Sequence, residues 1–158
     1  MPLPYSSSGR IELTSDVNAQ QIDSKVVKAI VDALTKKRAR NVQQNGNQIT
    51  FRAGVRIVDN LNLLLPITSG EISIFVEGTR IIIRYNIRFT EFFIFTLLLV
   101  FGGGFALGDL RSRGLAFLAI VWLVLFGINV LLALIRFPWF LRSSVTKALH
   151  LEPDSWMF

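Results

Sequence analysis

Few side chains in this chain could do chemistry. There is one histidine, His150, and no cysteine. Thiolate nucleophiles, zinc–thiolate sites and disulfides are therefore excluded, and an imidazole relay has at most one member. His150, Glu152 and Asp154 could be drawn as a metal triplet. Pro153 breaks the helical spacing that would aim them at one ion and no fourth ligand follows, so a solvated tail accounts for them. Glu71 and Glu77 fall on a strand and its turn. Glu71 opposite Arg84 reads as a cross-strand ion pair before a general acid. Gly102-Gly103-Gly104 has no Lys or Ser behind it, as a phosphate loop requires. No catalytic, cofactor-binding or metal-ligating residue is assigned, and the expectation is a protein that is not an enzyme.

What remains is a basic surface. Arg80, Arg84 and Arg88 recur in a segment of strict period two, so they share one strand face. Arg52 and Arg56 extend that face if their strand neighbours it. Close to a bilayer, such a face binds lipid phosphates at about 1 kcal/mol per basic residue; it equally suits an acidic protein. Nucleic acid is not expected, because Phe75 and Ile82 are the only apolar residues interleaved with the arginines. The overall balance, 17 Lys+Arg against 11 Asp+Glu, also matches the cytoplasmic bias of membrane proteins.

The elements that must carry this face follow from periodicity. Residues 1–9 hold two Pro, three Ser and a Gly and read as a disordered tail. Arg10 to Thr14 alternates as a short strand. Asn18 with Gln21 fits a capping box. Ile22, Val26, Ala29, Ile30, Ala33 and Leu34 then form one apolar helical stripe. Lys36, Lys37 and Arg38 end the helix, where cations suit the dipole. Asn45-Gly46 predicts a two-residue hairpin pairing Val42 with Ile49 and Arg40 with Phe51, in a strand running to Ile57. Leu61 to Ile67 is apolar and broken by Pro66; it fits either a loop on the sheet edge or a segment at the lipid interface. Glu77-Gly78 predicts a second hairpin pairing Ile74 with Ile81 and Ile72 with Ile83. In its last strand Ile81, Ile83, Tyr85, Ile87 and Phe89 face inward, and a slip of one residue would bury arginines. The expected domain is α+β, spanning 10–89, with two layers: one helix on an antiparallel sheet.

Residues 92–108 and 115–135 contain no charged residue. A charge at the bilayer centre costs about 2.5–3.5 kcal/mol, and at 1.5 Å per residue these stretches measure about 26 and 32 Å against a core of about 30 Å. They predict a two-helix transmembrane hairpin over 90–137, with Thr90 capping the first helix and Pro138 ending the second. Residues 138–158 are expected as an interfacial tail. Arg80, Arg84, Arg88, Arg136, Arg142 and Lys147 flank the outer ends, against Arg111 and Arg113 in the turn. This places both termini in the cytoplasm, at a plasma (inner) membrane. Gly104 and Gly108 offer close helix approach. Thr96 and Asn129, at similar counted depth, offer an interhelical hydrogen bond. The first 13 residues have no apolar core and do not resemble a signal peptide.

Two functions fit. One is a small integral membrane protein whose cytoplasmic domain binds a protein partner or anionic lipid headgroups. The other is a subunit of an oligomeric transporter or channel, with Gly104 and Gly108 at a homo-oligomer contact.

Overall fold

The computed structural model of the chain describes residues 6–14, 19–53, 64, 66–102 and 112–149. Five strands form one antiparallel sheet: β1 (Ser6–Thr14), β2 (Arg40–Asn45), β3 (Gln48–Arg52), β4 (Ser69–Glu77) and β5 (Arg80–Arg88). Their spatial order is β1-β5-β4-β3-β2, so the first strand of the chain pairs with the last. Helix α1 (Ala19–Lys36) connects β1 to β2. Helix α2 begins at Thr90, is α-helical to Leu97 and continues π-helically over Leu98–Gly102. Helix α3 (Ser112–Ala148) is 37 residues long. The architecture is α+β.

Strand β5 shows how the sequence selects its faces. Ile81, Ile83, Ile87 and the following Phe89 are buried, while Arg80, Arg84 and Arg88 are exposed. On α1, Val26, Val27, Ile30 and Leu34 are buried against the inner sheet face.

Helix α1 is not the only cover. Ala133, Phe137, Leu141, Val145 and Leu149 belong to the same core. The expected stop at Pro138 is therefore corrected: α3 runs through it, and its last three turns lie on the sheet. Proline removes one helical hydrogen bond and kinks the chain, at a cost of about 3 kcal/mol or more. Burial of Phe137, Leu141 and Val145 on either side offsets that cost, at about 1.5–3 kcal/mol per side chain. Phe137 lies between two aromatic rings of the sheet, 6.1 Å from Phe51 and 5.4 Å from Tyr85, edge-on to the latter. Each of those rings lies over a glycine of the neighbouring strand. A Cβ at Gly9 would overlap the Tyr85 phenol, and one at Gly70 the ring of Phe51.

The tail expected at 1–9 is corrected over Ser6 to Gly9, and residues 1–5 lie outside the described residues. Ser6 to Gly9 pair with Arg88 to Tyr85 as the first half of β1. Serine and glycine carry little apolar signal, so this half of the strand is held by its ladder and by Tyr85.

Both hairpins form one position later than expected. Asn45 pairs with Gln48 and Glu77 with Arg80, so the turns are Gly46-Asn47 and Gly78-Thr79. Gly46 has φ 57° and Gly78 φ 60°, while Asn47 and Thr79 have no positive φ. Glycine first is the type II′ pattern, whereas a turn centred on Asn-Gly would be type I′. Gln44 thus faces Ile49, and Ile74 faces Ile83. Asn41, with φ 48°, lies in a bulge that shifts β2 by one residue before Arg40. Leu64 and Ile67 are buried in the core, which settles those two residues as sheet packing. Asn18 of the expected capping pair, the strand beyond Ala53 and His150 to Phe158 lie outside the described residues.

By length and composition, one helix among the described residues, the Ala116–Ala148 part of α3, can cross a membrane. Thr90–Gly102 is apolar but shorter. Residues 103–111, with Gly104, Gly108 and Arg111, lie outside the described residues, so the structure does not show the two-helix hairpin.

Candidate functional site: an arginine-bearing sheet face

The residues of the outer face of the sheet can be read row by row across the ladders; Ile82, between Glu12 and Phe75, is buried among them. The row nearest α2 is Ser6, Arg88, Ser69, Arg52 and Arg40. Two residues further from α2 comes Ser8, Asn86, Glu71, Thr50 and Gln43. The next is Arg10, Arg84, Ser73 and Gln48. Arg80 sits between Thr14 and Glu77 at the far end.

The candidate residues are thus placed as follows. Arg80, Arg84 and Arg88 share the outer face, as expected. Arg52 lies in the row of Arg88 but two strands away, because β4 intervenes. Arg56 lies outside the described residues. Glu71 does not face Arg84: it stands opposite Asn86 and accepts a hydrogen bond from the Gln48 side chain.

Two arginines escaped sequence reasoning. Arg10 is directly opposite Arg84, and Arg40 directly opposite Arg52. Finding Arg10 required knowing that β1 pairs with β5, which no local pattern states. Finding Arg40 required the bulge at Asn41. Like charges directly opposite on neighbouring strands destabilise a sheet. One arginine of each pair meets a carboxylate among the described residues. Arg10 meets Glu12 at 2.7 Å and Arg52 meets Glu91 at 3.4 Å, both ion pairs being solvent-exposed. Arg84 lies with its guanidinium carbon 5.1 Å above the ring of Phe75, which is exposed on the same face. The hollow beside it, about 460 Å³, is lined by Ser8, Arg10, Glu71, Ser73, Arg84 and Asn86, with Gly9 and Tyr85 beneath. Burial pushes the Tyr85 phenol up from its ordinary value.

Helix α2 starts without a linker, and its cap is not the expected one. Thr90 is already helical and no side chain of its own segment caps the end. The Thr68 hydroxyl accepts instead, from the backbone N–H of Glu91 at 2.8 Å.

The helix-packing candidates are not joined as expected. The indole N–H of Trp122 donates to the Thr96 hydroxyl at 3.2 Å. The Asn129 amide donates to the carbonyl of Leu125 in its own helix, at 2.7 Å. Phe92 stacks on Phe126 at 6.0 Å, and Phe93 meets Trp122 at 5.2 Å and Phe126 at 5.3 Å. This antiparallel register puts Asn129 level with Phe89, not with Thr96. Depth counted back from residue 135 was misleading, because α3 extends beyond it.

Among the described residues, no group of three or more His, Asp or Glu could hold a metal ion. Comparison of the chain with protein-family models, with curated proteins and with solved structures finds no match.

Proposed function

We propose that the chain is a non-enzymatic integral membrane protein that crosses the bilayer twice and presents its arginine face to an acidic partner. The partner is an acidic protein surface first, and a layer of anionic headgroups second. The membrane part of this reading is supported by exposure: 6 % of the most apolar window of α3 is buried. A soluble core helix would bury most of it, and exposed apolar surface of this extent needs lipid or protein around it. Connectivity supports two crossings. Phe137 to Leu149 share a core with β5, so both ends of residues 90–136 lie on one side. If α3 crosses, residues 90–111 must cross back. With the arginine count at the helix ends, that side is the cytoplasm of a plasma (inner) membrane.

The observation that carries the binding reading is the strand register, which sets Arg10 opposite Arg84 and Arg40 opposite Arg52 on one exposed face. These like-charge pairings weaken the isolated sheet, and an acidic partner relieves them.

The test uses the full chain in its membrane, with a photo-crosslinking side chain at Ser73. Retention in the membrane after carbonate extraction is expected. An adduct is expected that disappears in the R10E/R84E variant, and its mass distinguishes protein from lipid. An adduct that is unchanged by charge reversal would sink the binding reading, and release by carbonate would sink the membrane reading.

A further inference from the structure

The groove between α1 and the second half of α3 lies on the helical side of the domain, with the sheet between it and the arginine face. It encloses about 660 Å³. Its floor is kept open by small residues, Ala29 and Ala33 one turn apart on α1. Four cations line it: Lys36 and Lys37 from the end of α1, and Arg136 and Lys147 from α3. Among the described residues no acidic side chain lines it, Asp32 on the same helix included. Trp139 stands at its edge, 73 % exposed.

The order of these groups along α3 has a chemical meaning. Leu131 and Ile135 are large, apolar and exposed. Arg136 and Trp139 follow within one turn, and Lys147 lies about three turns further. Exposed hydrocarbon, then Arg136 and the aromatic Trp139 within one turn, then Lys147 further out, follows the order of acyl chain, interface and phosphate in one leaflet. Two helices from distant parts of the chain supply the cations, so the cluster is not one helix end with its usual basic residues.

We propose that this groove holds the headgroup of an anionic phospholipid, its phosphate among Lys36, Lys37, Arg136 and Lys147 and its acyl chains along Leu131 and Ile135. The inference rests on the membrane-spanning reading above but not on the arginine face. It assigns the lipid to the helical side and leaves the sheet face for another partner.

The full chain is placed in nanodiscs of phosphatidylcholine with a minor fraction of phosphatidylglycerol, and lipids retained on the released protein are counted by native mass spectrometry. Phosphatidylglycerol should be retained over phosphatidylcholine by about tenfold or more beyond its mole fraction, a preference that two basic residues acting together already supply. K36Q/R136Q/K147Q should abolish that preference, and W139A, at an exposed position, should weaken it several-fold. R80Q/R84Q/R88Q should leave it intact. Preference surviving K36Q/R136Q/K147Q overturns the proposal, as does preference lost equally in the sheet-face variant. Displacement of the lipid by inorganic phosphate would reassign the groove to free phosphate and overturn the lipid. Chains that carbonate strips from membranes would fail the membrane reading itself, separately from these outcomes.

Discussion

The backbone N–H of Glu91 donates to the hydroxyl of Thr68 across the strand junction, at 2.8 Å. Thr68 also donates its own N–H to the Arg88 carbonyl, at 2.7 Å, and accepts from Ala53 N–H, at 3.0 Å. One residue thus joins the end of β3, the end of β5 and the first turn of α2. The orphan N–H groups of a helix start need such an acceptor, and here it comes from a residue 23 positions away. With the Arg52–Glu91 ion pair beside it, the junction holds α2 in a fixed direction relative to the sheet.

Thr68→Val keeps the shape and removes the acceptor. It should destabilise the folded chain by about 0.5–2 kcal/mol, the range for a lost helix cap. Thr68→Ser should retain most of the stability. Denaturant titration in detergent, followed by near-ultraviolet circular dichroism, measures both. Equal stability of the Val variant and the wild type would show that the cap is not stabilising.

Gly9→Ala should cost about 1–3 kcal/mol, because the added methyl meets the Tyr85 ring. The cost should fall sharply in a Y85L background, where the ring is gone. A double-mutant cycle on thermal unfolding gives the coupling. Additive effects would mean that the ring moves aside freely.

Phe137→Ala should cost about 3–5 kcal/mol as a fully buried aromatic truncation. Its specific signature is detachment of α3 from the sheet. Amide exchange should rise in residues 137–149 and in β1, while the apolar stretch 116–135 stays protected. Uniform protection in the variant would contradict the role of Phe137 as the link.

Tyr85 gives a pH dependence with a definite sign. Burial raises its phenol above the ordinary value of 10.0. Below that ordinary value both folded and unfolded phenols are neutral, and the group adds no pH dependence. Above it the unfolded phenol ionises first, so unfolding is favoured as pH rises. Stability should therefore fall above about pH 10, and Tyr85→Phe should flatten that fall. Unfolding midpoints measured across this window check it.

Period two in β5 and the apolar stripe of α1 were legible, because a single local repeat determines each. The hairpins were legible as hairpins, but the turn centres were not. Glycine can take positive φ at either central position, and only the strand register decides which. Ser6 to Gly9 was hidden because a strand held by its ladder and one aromatic cover has no hydrophobic alternation. Pro138 was misread because local helix propensity was overridden by burial of Phe137, Leu141 and Val145. Of the arginine face, Arg80, Arg84 and Arg88 could be read directly. Arg10 and Arg40 could not, since each depends on a pairing or a bulge set elsewhere. The cation groove lay wholly beyond sequence reach: Lys36 and Arg136 come together only through the packing of α1 on α3.

The passage of α3 from its apolar stretch straight into the sheet core also dictates an order of events during synthesis. When Arg88 leaves the ribosome, all five strands and α1 exist, yet the space for Phe137, Leu141, Val145 and Leu149 is empty. The inner sheet face stays partly bare until Phe137, Leu141, Val145 and Leu149 have been made and folded back onto it. The core is therefore completed last, by the far end of α3. On the proposed reading that residues 90–136 cross a bilayer twice, correct insertion and completion of the domain core become a single event, and a chain inserted with its far end on the wrong side would keep an open apolar face.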